Sequence, residues 1–299
     1  MLTSGRTVVL DGGLATELEA RGHDLSDALW SARLLADDPE EIVAAHVAFY
    51  RAGAEVATTA SYQASFPGFA ARGIDRAEAA ALLRRSVELA RRARDAVAGD
   101  GRPRWVAASA GPYGALLSDG SEYRGRYGLT QRELVAFHRP RLEVLAEAEP
   151  DVLALETVPD VDEAAAELAA LEALDMPGVP VWLSYTVADG RTRAGQSLEE
   201  AFAVAAGNAQ VLAVGVNCCS PAEVADAVAI AAEVSGKPVI VYPNSGEGWD
   251  AEGRRWAGAP TFSPDEVNRW VDGGAALVGG CCRVRPGDIA DLARALRVT

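Results

Sequence analysis

Residues 211–242 read VLAVGVNCCSPAEVADAVAIAAEVSGKPVIVY. Val211 to Val216 is an apolar, β-branched run of strand length, and Pro221 to Val234 carries small and apolar residues at helical period. Ser220-Pro221 sets a capping hydroxyl before a proline in the first helical turn. Pro238 to Tyr242 is a second short apolar run. The stretch is therefore strand, helix and next strand, the repeating unit of a sheet whose strands run parallel.

Working outward, the same alternation reaches both ends of the chain. Candidate strands are Thr7 to Leu10, Glu55 to Ala60, Trp105 to Ser109, Asp151 to Glu156, Val179 to Tyr185, Val211 to Val216, Pro238 to Tyr242 and Ala275 to Gly279. Helical patterns follow each of them: Glu40 to Ala52, Arg76 to Ala98, Gln131 to Ala148, Val161 to Leu174, Leu198 to Ala206, Pro221 to Val234, Pro264 to Asp272 and Pro286 to Leu296. Ser263-Pro264 repeats the capping pattern, and Gly53 stands where a helix C-cap is needed. Eight strands close a parallel barrel, whereas a doubly wound open sheet uses fewer. The 299 residues would fill about two domains of average size, but α/β barrels of about 250 residues form one. No linker or shift in composition divides the chain, so the expectation is an α/β fold, a single (β/α)8 TIM barrel spanning residues 1–299. Two long irregular stretches, Ala110 to Leu129 and Pro243 to Phe262, are expected to serve function.

Composition narrows the partners. With 49% hydrophobic and 24% charged residues the chain is neither disordered nor fibrous. Lys and Arg number 28 against 43 Asp and Glu, a net charge of −15 that repels nucleic acid and anionic membrane surfaces. A small-molecule ligand is expected, with the chain a monomer or homodimer. The start Met-Leu-Thr-Ser-Gly-Arg is no apolar leader and no run of about 20 apolar residues occurs, which leads us to expect a cytoplasmic protein with reduced thiols.

Those thiols occur only as doublets, Cys218-Cys219 and Cys281-Cys282. A barrel's active site is built where its strands end. The strand ends here supply Asp11-Gly12-Gly13, Thr58-Thr59 with Ser61, Ser109, Glu156-Thr157, Ser184-Tyr185, Asn217-Cys218-Cys219, Tyr242-Pro243-Asn244 and Gly279-Gly280-Cys281-Cys282. Strands six and eight are alternate staves, so the two doublets can converge. A thiolate cluster selects zinc, and three protein ligands with one open position mark a catalytic site. A closed four-thiolate site normally uses Cys-x2-4-Cys spacing, which is absent. Burial as core filling is the competing reading for any cysteine. A Cys/His nucleophile is disfavoured because His23, His46 and His138 lie before or within helices. No G-x-G-x-x-G or P-loop spacing supports phosphate binding.

The segments Gly215-Val216-Asn217-Cys218 and Gly279-Gly280-Cys281-Cys282 resemble the zinc-ligand segments of the homocysteine S-methyltransferase family. Further matches are Leu10 to Leu18, Thr59 to Ser65, Gly111 to Gly114, Asp119 to Tyr123, Glu156 to Pro159 and Tyr242 to Glu247, so the resemblance runs end to end. The Asp119 to Tyr123 and Tyr242 to Glu247 segments look like the branch that uses S-methylmethionine or S-adenosylmethionine.

The resemblance implies that Cys218, Cys281 and Cys282 hold Zn(2+), and it gives Cys219 no role. It implies a methyl transfer from a sulfonium to the thiol of homocysteine, giving methionine, with the thiol activated as a zinc-bound thiolate. Asp11, Gly12, Thr59, Ser61, Glu156, Asn217 and Asn244 are the candidate substrate-binding residues, with Glu156 and then Asp11 for the ammonium. Tyr113, Asp119, Glu122, Tyr123, Tyr242 and Trp249 are candidates for the cationic donor. The alternatives are a methyltransferase for another thiol or a selenol such as selenocysteine, and a non-catalytic zinc or redox barrel.

Overall fold

A computed structural model describes residues 1–2, 5–25, 30–174, 178–250 and 255–298. Its central sheet is built from β1 (Val8–Val9), β2 (Val56–Thr58), β3 (Trp105–Ala110), β4 (Val152–Val158), β5 (Val181–Tyr185), β6 (Val211–Asn217), β7 (Val239–Tyr242) and β8 (Ala275–Val278). Sequential neighbours pair in parallel throughout. The ring closes because β1 pairs with β8, Val8 facing Leu277, while Leu10 bridges Val56 on the other side. All eight expected strands are present, and the fold is the expected α/β barrel.

The surrounding helices are α1 (Pro39–Ala52), α2 (Arg76–Asp95), α3 (Gln131–Glu147), α4 (Val161–Glu172), α5 (Leu198–Ala203), α6 (Val224–Ser235), α7 (Pro264–Asp272) and α8 (Pro286–Val298). Their starts follow from side-chain chemistry. Ser263 accepts from the amide of Glu266, and Thr130 with Glu133 and Ser197 with Glu200 form reciprocal capping boxes. Ser220 caps as expected, but onto a 3-10 turn, Pro221–Glu223, that precedes α6. Gly53 ends α1 at φ 117°, a left-handed value that a side chain would strain.

Two apolar layers result from the alternation of side chains along each strand. Inward-facing Val8, Leu10, Val56, Ala107, Val152, Ala154, Trp182, Ala213, Ile240 and Leu277 fill the barrel, and Trp182 is its largest buried residue. The outward faces pack against the helices. Three alanines, Ala107, Ala154 and Ala213, share the inner layer with the large rings of Trp182 and Tyr242. The stretch from Ala110 to Leu129 is less irregular than expected: it holds a helical turn, Tyr113–Leu117, and a 3-10 turn, Ser121–Tyr123.

Candidate active site and thiol cluster

A cavity of about 750 Å³, including its mouth, opens at the C-terminal ends of the strands. Asp11, Gly12, Thr58, Thr59, Tyr62, Glu122, Tyr123, Glu156, Thr157, Tyr242, Cys218, Cys281 and Cys282 are among the residues that line it. The loops after β6 and β8, separated by β7, bring Cys218, Cys281 and Cys282 together with their sulfurs within 4.8 Å of one another. Two sulfurs held by one tetrahedral zinc at about 2.3 Å stand about 3.8 Å apart. The donor set, three converging cysteine sulfurs, therefore fits a soft metal ion.

The Cys218 and Cys281 sulfurs stand in contact, with Cα atoms 5.6 Å apart. The pair lies 63 residues apart in sequence, and closure of the barrel puts the two sulfurs in contact. Cys282 and Cys219 are free. Burial pushes the Cys282 thiol up to about 11 and the Cys219 thiol up to about 12. Cys219 packs fully buried in the apolar layer outside the barrel and does not line the cavity.

The backbone around the cluster is fixed by a small set of bonds. The amide of Asn244 donates to the Cys219 carbonyl at 2.9 Å, and its side-chain oxygen accepts from the Cys282 amide at 3.1 Å, so one residue ties the two doublets together. The Cys281 amide donates to the Pro243 carbonyl at 2.7 Å, and that of Gly280 to the Asp11 carbonyl at 3.0 Å. Gly13 donates to the Val284 carbonyl at 2.9 Å. A Cβ at Gly13 would stand 2.6 Å from the Cys281 carbonyl oxygen, so glycine is what lets the β1 loop meet the cysteine loop.

Asp11 and Glu156 are 3% and 7% exposed and both face the cavity. The amide of Thr58 donates to Asp11 at 2.7 Å and its hydroxyl at 2.9 Å. Burial nevertheless pushes the Asp11 carboxyl up to about 8, with the Glu156 charge adding to the effect. Glu156 accepts a short bond from the Ser109 hydroxyl and another from Tyr242, and burial raises it to about 7. Tyr242 is held by Trp182 Nε1 at 3.1 Å and by Ser184 at 2.6 Å, so the barrel-filling tryptophan supports the cavity floor.

Glu156 and Thr157 sit where the β4–β5 register shifts, between Leu155 and Val158. Such a bulge re-aims side chains at a strand end. Thr157 takes φ 59° and Cys218 φ 47°, both rare for side chains of their kind. Asn217 holds this geometry: its oxygen accepts from the Thr157 amide at 2.7 Å and the Ser184 hydroxyl at 2.9 Å, while its nitrogen donates to Thr157 Oγ1 at 2.8 Å.

Of the residues expected to bind substrate, Asp11, Gly12, Thr59 and Glu156 line the cavity, whereas Asn217, Asn244 and Ser61 do not. The Ser61 hydroxyl donates to the Ser109 carbonyl at 2.7 Å and stands 2.7 Å from Thr59 Oγ1. These three bond to the wall itself: Asn217 to Thr157 and Ser184, Asn244 through its oxygen to Cys282, and Ser61 to Ser109. Of the donor candidates, Glu122, Tyr123 and Tyr242 line the cavity. Tyr113 packs instead against Tyr127 and Phe137, with ring centroids 5.2 and 4.9 Å away. Asp119 is exposed and accepts from the Ser121 amide at 3.0 Å. The Trp249 side chain lies outside the described residues.

Thr58, Ser109 and Thr157 are residues that sequence reading left without a role. A further one is the buried set His138, Arg141, Glu163 and Glu167 between α3 and α4. His138 stands 3.0 Å from Glu163, which also accepts from the Tyr113 amide at 2.5 Å and the Tyr127 hydroxyl at 3.1 Å. Arg141 donates to the Gly111 carbonyl. Burial and the Arg141 charge pull His138 down to about 4. The set anchors both ends of the segment that carries Glu122 and Tyr123. Within that segment a Cβ on Gly114 would strike the backbone of Ser121 and Glu122, so glycine allows the two turns to stack.

The profile of the family described as Homocysteine S-methyltransferase matches residues 8–296. Homocysteine S-methyltransferase 4 of Zea mays is 46% identical, covering 98% of this chain and 90% of its own length. Homocysteine S-methyltransferase of Escherichia coli strain K12 is 45% identical over 95% of this chain and 94% of that one. The crystal structure of the Escherichia coli homocysteine methyltransferase MmuM in its metallated form superposes with a TM-score of 0.88 at 43% identity, covering 98% and 97% of the two chains.

Proposed function

The chain belongs to the homocysteine S-methyltransferase family, and from that premise we propose that, as one barrel domain over residues 1–299, it moves a methyl group from S-methylmethionine or S-adenosylmethionine to the thiol of L-homocysteine, giving methionine. Cys218, Cys281 and Cys282, once reduced, are the residues that would hold zinc. Bound there, zinc supplies a substrate thiol that is ionised at neutral pH.

The chain's own side chains bind and orient. Asp11 and Glu156 take the homocysteine ammonium; both carboxyls are buried and raised, and an arriving cation favours their ionised forms. The substrate carboxylate faces the Gly12 amide at the cavity wall. Asn217, Asn244 and Ser61 act from behind the wall by fixing Thr157, Cys282 and Thr59. The methyl carbon passes from the sulfonium sulfur to the homocysteine sulfur, and the departing thioether keeps the electron pair. The donor is already activated, so catalysis is chiefly alignment of the sulfurs with the methyl carbon between them. The Tyr123 ring lines the cavity beside the thiols and suits the sulfonium charge.

The observation that carries this reading is that three converging sulfurs and two buried carboxylates line one cavity. The test is methionine formation from homocysteine by reduced, zinc-loaded protein with S-methylmethionine, S-adenosylmethionine, betaine and methyltetrahydrofolate as separate donors. Turnover with a sulfonium donor is expected. Turnover by metal-free protein at the full rate, or none with either sulfonium, overturns it.

A further inference from the structure

Arg193 stands just after a hairpin, Val187–Ala188 with Arg191–Thr192, that follows β5. Its Nε donates to Thr186 Oγ1 at 3.5 Å, and that hydroxyl donates to the Cys218 carbonyl at 3.2 Å. The guanidinium carbon lies 5.4 Å from the centroid of the Tyr123 ring, which lines the cavity with Glu122 and Cys282. Among the described residues Arg193 makes no ion pair with a carboxylate, although this chain has 43 Asp and Glu. Glu122 likewise has no cationic partner among them, and its Oε2 is buried without a hydrogen bond. Glu122 lines the cavity, and a carboxylate oxygen left there without a partner is costly unless a ligand completes it. Among the described residues, one anion and one cation without an ion-pair partner thus stand by Tyr123, Glu122 at the cavity lining and Arg193 against the ring.

We propose that Glu122, Tyr123 and Arg193 form a recognition site for the zwitterionic α-amino acid end of the methyl donor. The donor's ammonium pairs with Glu122, its carboxylate with Arg193, and its aliphatic stem lies on Tyr123. The inference rests on the methyl-transfer reading and deepens it: the protein selects amino acid sulfoniums over sulfoniums that lack one or both of these charged groups. Homocysteine is assigned to the more deeply buried Asp11 and Glu156, so the two amino acid ends are read by separate sets of residues.

The test is calorimetric binding of S-methylmethionine, of (3-carboxypropyl)dimethylsulfonium, which lacks the ammonium, and of trimethylsulfonium, which lacks both groups. Wild type, Arg193→Met, Arg193→Lys and Glu122→Gln are compared, with methionine formation measured separately. Wild type should bind S-methylmethionine at least about 10-fold more tightly than either analogue, as expected for loss of one charge-assisted bond. Arg193→Met should weaken both carboxylate-bearing ligands by about 10-fold and leave trimethylsulfonium unchanged, with Arg193→Lys in between. Glu122→Gln should weaken S-methylmethionine selectively. Homocysteine affinity should not move in any variant. Unchanged S-methylmethionine binding in Arg193→Met and Glu122→Gln, a loss confined to homocysteine, or no donor binding by wild type overturns the site. The expected binding pattern without methionine formation would support the site and remove the methyl-transfer reading.

Discussion

Glu156→Gln isolates the ammonium partner from the rest of the cavity. Glutamine keeps the size of a side chain that is 7% exposed and an oxygen to accept from Ser109, while removing its charge. Loss of a charge-assisted bond costs about 1.5–3 kcal/mol, or about 10- to 100-fold in affinity. The proton makes the assignment specific. Because burial holds the Glu156 carboxyl near about 7, it is about nine-tenths protonated at pH 6 and about nine-tenths ionised at pH 8. L-Methionine keeps the ammonium and has no thiol to titrate, so its binding reports this group by calorimetry. Wild-type affinity should rise about 10-fold from pH 6 to pH 8 on account of Glu156, with Asp11 adding to the rise at the upper end. Glu156→Gln should be about 10- to 100-fold weaker at pH 8 and should converge on wild type toward pH 6. A variant that retains the full pH slope, or that binds as tightly as wild type at pH 8, refutes the reasoning.

Three further outcomes are expected. In reduced protein, metal analysis should find about one zinc per chain, with most of it lost in Cys281→Ala and Cys282→Ala and retained in Cys219→Ala, whose thiol packs away from the cavity. The Asp11 carboxyl keeps its proton to about 8 when folded but releases it near about 4 when unfolded, so the folded state binds more protons between those values and stability falls as pH rises. Asp11→Asn should therefore gain on wild type by up to about 1.4 kcal/mol per pH unit across that window, read from urea unfolding; a constant difference would contradict it. Glu163→Gln removes a carboxylate that His138, the Tyr113 amide and the Tyr127 hydroxyl share in a buried setting, and should cost about 1–3 kcal/mol in denaturant unfolding.

Much of the barrel was legible because its signals are local. A β-branched run, a Ser-Pro cap and an alanine- and valine-rich helix are written within residues 211–242, and their repetition specified eight strands and eight helices close to their observed limits. The position of the cysteine doublets after strands six and eight was legible for the same reason. The Asp189-Gly190 turn pair was a readable hairpin signal, yet Arg193 beyond it was missed, because cations were sought only at strand ends. Asn217 and Asn244 stand at strand ends and look like substrate ligands in sequence, but the Asn217 amide bonds Thr157 and Ser184 and the Asn244 side-chain oxygen bonds the Cys282 amide. Which way a polar side chain turns depends on its neighbours across the sheet, and sequence order does not state them.

By itself, then, the sequence determined the order and type of the elements, the ring of polar residues at the strand ends and the acidic surface, since periodicity, capping and charge are carried by neighbouring residues. Tertiary structure decided the rest: the contact of Cys218 with Cys281 across 63 residues, the register shift that turns Glu156 and Thr157 into the cavity, and the buried His138 and Glu163 set that fixes the segment bearing Glu122 and Tyr123. Each of these depends on distances between residues far apart in the chain, and those distances exist only once the barrel has closed between Leu10 and Val56.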